Sequence, residues 1–150
     1  MNQDILDWIF AKKDGVRTIK HYGDDYTKWH HTLGAEYFRT DIDHVEFRSD
    51  RGIVALIDTT AKFKDEAHLI NSKPYVWKRS GMQREVLTNA SKALGVPAYF
   101  VLHTDDLTTF HVHDLSRPLD EYTAMDEPAY RKFIMNLCYQ KSSNYCDTLR

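Results

Sequence analysis

A chain of 150 residues with 42% apolar and 28% charged residues has the make-up of an ordinary globular protein, long enough to bury a real core. Its net charge of −2 excludes a bulk basic field of the kind that advertises nucleic-acid binding, although a local basic groove survives such averaging. No stretch approaches the length of a membrane span, and the opening "MNQDILDWIFAKK" carries two acids and too short an apolar run for a secretory leader. A single domain over 1–150 in the cytoplasm, not bound to membrane, is the expectation, and Cys138 and Cys146 then read as two free thiols.

In chain order, residues 3–12 form a short helix with Ile5, Trp8 and Ile9 on one side, ended by Asp14-Gly15. A second helix runs from Asp25 to about Phe38, with Tyr26, Trp29, Leu33 and Tyr37 at helical spacing and Asp24 or Asp25 as cap. "DHVEFRS" alternates as a half-buried strand, "SDRG" is a compact turn, and "IVALIDTT" reads as a central strand covered on both faces. Residues 72–94 read as helix with a break point at Ser80-Gly81. Met82, Val86, Ala90, Ala93 and Leu94 form a stripe, of which Val86, Ala90 and Leu94 are expected to face the central strands. Gln83 falls in register with Leu87, Ala90 and Leu94, and Gly95 supplies the stop. "VPAYFVLHT" is another buried strand, "DDL" a turn, and "TTFHVHDL" an alternating strand; a last helix spans about Pro128–Cys138. The fold class expected is α/β, a central mixed β-sheet flanked by helices.

Side chains on one strand face recur every second residue, so Asp41 and Asp43 share a face, as do Asp58, Thr60 and Lys62. A hairpin turning at 49–52 brings Asp43, at the head of its strand, to the neighbourhood of Asp58. Two converging carboxylates suit Mg²⁺ or Mn²⁺, which prefer oxygen ligands, polarise a phosphate and lower the pKa of a bound water. An aspartate inside "VALIDTT" is costly without compensation, which strengthens that reading. Acids at strand ends also serve as plain turn or cap residues, and Asp41 in particular suits that role. His30-His31 and His111-x-His113 suggest zinc, but adjacent histidines on a helix point about 100° apart, no third ligand is spaced with the second pair, and His111 and His113 read as solvated residues on a sheet face.

The stretch "DIDHVEF…GIVALIDTT", followed by "MQREVLTNASKALG" and "VPAYFVLHTDD", resembles the PD-(D/E)XK nuclease superfamily over about residues 25–115. That resemblance implies a restriction-endonuclease-like core of helix, three-stranded meander, helix and strand. It further implies a metal-dependent DNA nuclease with Asp43 and Asp58 as metal ligands and catalytic acids, and Asp41 as the alternative first acid; Glu36, near the end of the second helix, is a further candidate ligand read from its position. The family's lysine would fall at Thr60, which carries no charge. Lys62, further along the same strand, is the favoured replacement cation, with Lys78 or Arg84 on the following helix as alternatives. Phosphate contacts are expected from Lys64, Lys73, Lys78, Arg79 and Arg84, with Gln83 approaching the site from the helix. The alternative is an inactive nuclease-fold protein that binds nucleic acid or a protein partner. The sequence leaves a homodimer open, as it does the form of DNA.

Overall fold

The computed structural model describes residues 29, 30, 32, 33 and 40–138. The chain divides into two compact units, 1–39 and 40–150. In the first, Trp29 and His30 are helical, and Thr32 donates its N–H (3.0 Å) and hydroxyl (2.6 Å) to the Trp29 carbonyl. The expected helix at 3–12 and most of that at 25–38 lie outside the described residues, as does Glu36.

The second unit contains a five-stranded mixed sheet in the order β1 (His44–Arg48), β2 (Gly52–Phe63), β3 (Ala98–Thr104), β4 (Thr109–Asp114), β5 (Thr123–Asp126). Only β2 and β3 run parallel; the other neighbours are antiparallel. The parallel pair needs a crossover, and α1 (Glu66–Arg79) and α2 (Gly81–Leu94) supply it. A third helix among the described elements, α3 (Glu127–Met135), follows β5. This is the α/β class expected.

Period-two alternation assigns the faces. Ala55, Ile57, Tyr99, Val101, Phe110 and Val112 belong to the face under α3, where Tyr130, Phe133 and Ile134 close the core. Leu56, Asp58, Phe100, Leu102, His111 and His113 take the opposite face, under α1 and α2. Two bulges disturb the alternation. Glu46 pairs with Ala55 but Phe47 with Ile53, so Val54 is an extra residue and joins Ala55 in the α3-side core. Thr60 pairs with Leu102 and Phe63 with Thr104, so a second extra residue lies at 61–62, where Lys62 has φ +83°.

The hairpin turn at 49–51 and the helix break are where the sequence puts them. Gly52 has φ +80°, open to glycine at little cost. At the break, Ser80 donates its N–H (2.9 Å) and hydroxyl (2.7 Å) to the Val76 carbonyl. The first helix starts earlier than expected, at Glu66, because Asp65 caps it by accepting the His68 N–H at 2.8 Å. Its buried line is Leu69, Lys73 and Val76, and a lysine in an inward stripe hides the period from a reading of apolar residues.

The stripe assigned to α2 needs correction. Met82, Val86 and Leu94 are exposed, and Leu87, with Ala90 beside it, faces the sheet. The cysteine reading is overturned as well: Cys138 is disulfide-bonded, and the other cysteine of the sequence, Cys146, lies outside the described residues. Among the described residues no helix is long and apolar enough to cross a membrane.

Candidate metal centre

The β1–β2 register matches His44 with Ile57, so the next pair outward is Asp43 with Asp58, as the spacing predicts. The contacts are reciprocal. Asp43 Oδ2 accepts the Thr59 N–H at 2.9 Å and its hydroxyl at 3.1 Å, while the Asp43 N–H donates a long 3.4 Å bond to Asp58 Oδ1. Asp43 is exposed; Asp58 is 1% exposed, and its Oδ2 is buried without a partner. A buried carboxylate oxygen in that state favours either a proton or a cation. Burial first, then the Asp43 charge and more weakly that of Asp41, push the Asp58 carboxyl up to about 7.

Among the described residues no three His, Cys, Asp or Glu side chains gather at metal-holding spacing. Two carboxylates nevertheless fit Mg²⁺, which commonly keeps several waters and takes one or two protein carboxylates beside a substrate phosphate. The orphaned Asp58 oxygen is the feature that fits the ion. Because α2 ends where β3 begins and β3 is parallel to β2, α2 runs against β2 with Leu87 over Leu56. Gln83 is half-buried and lies one helical turn before Leu87 on α2.

The cations are placed less favourably. The bulge at 61–62 gives the face position after Thr60 to Phe63, which is buried, while Lys62 is exposed; the expectation that Lys62 shares the face of Asp58 is overturned. Arg84 donates from Nη2 to the Trp77 carbonyl (2.7 Å) and from Nε to the Ser80 hydroxyl (3.1 Å), so its guanidinium ties α1 to α2. Lys64, Lys78 and Arg79 are exposed, the last two in the final turn of α1. Lys73, expected on a phosphate, is only 8% exposed, with Nζ 3.1 Å from the centroid of the Tyr122 ring.

The sequence reading missed the surroundings of Lys73. His111 and His113 are fully buried, not solvated, because β4 lies between β3 and β5 and α1 covers that face. His111 Nε2 bonds Glu66 Oε1 at 2.8 Å, and Tyr122 stacks on its ring at 4.6 Å. Trp77 meets the His113 ring edge-on at 4.6 Å. Burial, Lys73 and then His111 and Arg84 bring the His113 imidazole down to about 4, against a favourable contact from the Leu119 backbone. The i, i+2 histidine pair was the available signal.

A separate polar cleft of about 440 Å³ lies between α2 and the β4–β5 connection, lined by Arg84, Glu85, Lys92 and Arg117 among others; Asp41, Asp43 and Asp58 do not line it. No protein-family model matches the chain, and no curated protein or solved structure matches it either.

Proposed function

We propose that this protein is a nuclease dependent on a divalent cation, Mg²⁺ or Mn²⁺, and that it hydrolyses phosphodiester bonds in DNA. The single observation that carries this reading is the buried, unpartnered Oδ2 of Asp58 set against Asp43 at the head of the β1–β2 pair. The order of two-stranded hairpin, helical crossover and parallel strand supports it in part, since the PD-(D/E)XK meander has one strand more than the described residues contain. Asp58 and Asp43 would hold the ion, with Asp41 nearby. When bound, the ion supplies Lewis-acid polarisation of the phosphate and a more acidic water. Asp43 holds the backbone of Thr59, and so fixes the strand that carries Asp58. Gln83, on the helix that covers this face of the sheet, would orient a water or phosphate oxygen.

One observation favours a second reading, a nuclease-fold protein that binds DNA without cutting it. Thr60 occupies the family's lysine position, and neither Lys62 nor Arg84 is placed to replace that charge. Incubation of linear, branched and single-stranded DNA with Mg²⁺ or Mn²⁺ separates the two. Cleavage that is lost in Asp58→Asn supports the first. Salt-sensitive binding with no cleavage on any DNA form overturns it in favour of the second.

A further inference from the structure

β1 forms one edge of the sheet. Among the described residues its one strand neighbour is β2, so the N–H and C=O groups along its outer side pair with no strand. Such a row is a template for a further strand, and edges that stay single are commonly blunted by lysine, proline or a bulge of their own. β1 reads HVEFR, and the extra residue of the neighbouring bulge, Val54, belongs to β2. It has none of the three.

Its side chains are as open as its backbone. Val45 and Phe47 oppose Leu56 and Ile53 and so share the face under α2, yet they are 51% and 62% exposed. On α2, Arg84, Thr88 and Lys92 line the cleft on the β4–β5 side, which leaves the exposed Val86 and Met82 on the opposite flank, towards β1. Apolar side chains left open on one flank by both a strand and a helix suit the core of an interface. The other face of β1 is charged. Glu46 and Arg48 form an ion pair there at 3.0 Å, and Arg48 also donates to the Ile134 carbonyl at 2.7 Å, which fixes the pair in place.

We infer that β1 is the contact strand of a homodimer, in which two copies pair antiparallel about a two-fold axis at Phe47 and their sheets become continuous. The order of side chains selects both the occupant and the register. With Phe47 opposite the partner's Phe47, Glu46 faces the partner's Arg48 and Arg48 faces the partner's Glu46, so both charged contacts are attractive. A shift that centres the pair on Glu46 sets glutamate against glutamate and His44 against arginine. Strand pairing alone is small against the roughly 800 Å² per partner that a stable dimer buries. The same axis keeps both α2 helices on one face, where their Val86 and Met82 flanks border the seam that Val45 and Phe47 fill. Asp43 lies outside the paired residues, so the inference does not rest on the Asp43–Asp58 reading.

The test is sedimentation equilibrium of the full chain over a range of concentrations. The parent is expected to form a reversible dimer. Phe47→Asp should weaken it about thirtyfold or more, the scale of losing a central aromatic anchor. Val45→Lys should weaken it as well, and keeps the test open if Phe47→Asp does not fold. Tyr75→Lys, at an equally exposed ring on α1, should dimerise as the parent does. Charge reversal reads the register: Glu46→Arg and Arg48→Glu should each pair poorly with themselves, and mixing the two should restore a mixed dimer, since every charge then opposes its complement. A parent that stays monomeric overturns the inference, as does parental affinity in a folded Phe47→Asp or Val45→Lys protein. Charge variants that dimerise well alone, or that fail to pair when mixed, overturn the register.

Discussion

Asp43 and Asp58 are coupled through the strand between them: the Asp43 carboxylate holds the N–H and hydroxyl of Thr59, while the Asp43 N–H points at Asp58 Oδ1. One acid is thus spent on backbone and the other is left buried with an oxygen to spare. The two should respond differently to substitution. Asp58→Asn should abolish cation-dependent cleavage yet raise metal-free stability at pH 8 by on the order of 1–3 kcal/mol, because a neutral amide replaces a buried charge. Asp43→Asn should also lose cleavage, but with lower stability, since a weaker acceptor remains for Thr59. Denaturant melts and DNA cleavage on both variants decide this; equal stability changes of the same sign would contradict the division of roles.

The pH dependence of stability follows from two groups with opposite signs. The Asp58 carboxyl is raised from 3.8 to about 7, so its contribution is full below 3.8 and is lost as pH rises towards 7. The His113 imidazole is lowered from 6.5 to about 4, so the folded state binds fewer protons there and stability falls as pH drops from 6.5 to 4. Metal-free stability should therefore change little through that shared range. Asp58→Asn should unmask a steep acid loss, and His113→Gln a loss on the alkaline side. Chemical melts at half-unit pH intervals would show both, and identical profiles for the two variants would refute the assignment.

Lys73 governs a third, alkaline window. Burial lowers its ammonium from 10.5 to about 8, with Glu66 opposing. Folded Lys73 then sheds its proton more readily than the unfolded chain, so stability should rise between pH 8 and 10.5. Lys73→Met should flatten that rise and be at least as stable as the parent at pH 7. A Lys73→Met protein that is less stable at pH 7, with the alkaline rise intact, would count against it.

Lys62 sits at φ +83° in the bulge, a conformation that costs a lysine about 1 kcal/mol or more. Lys62→Gly should stabilise the fold by about 0.5–1 kcal/mol and leave any cleavage rate within a few fold. A hundredfold loss of rate would show instead that the exposed ammonium does reach the scissile phosphate.

Arg84 and the exposed cations should separate in DNA binding. Arg84→Ala removes bonds to the Trp77 carbonyl and Ser80 hydroxyl, and should cost about 1–3 kcal/mol of stability with the salt slope of binding unchanged. Lys64, Lys78 and Arg79 to Ala should each lower that slope by about one while the melting temperature holds. Titrations at several salt concentrations, with melts alongside, test the contrast.

Local chemistry determined much of this protein from its sequence alone. The turn at "SDRG" and the apolar run after it specify the hairpin, and the fifteen-residue interval between Asp43 and Asp58 then follows from strand geometry. The alternation of "DHVEFRS" locates the strand but not its burial, since Val45 and Phe47 are exposed. The break at Ser80-Gly81 is legible for the same reason, since capping is decided by neighbours. Tertiary structure decided the rest. The bulges at Val54 and at 61–62 arise from pairing with β1 and β3, and a single extra residue is enough to move Lys62 out of phase with Asp58. Which side of α2 is inward depends on what the sheet offers it: Leu87 meets Leu56, and Val86 meets nothing comparable. His111, His113 and Lys73 look solvent-facing in a sequence because polar residues usually are, and only the covering of β4 by α1 and Tyr122 encloses them.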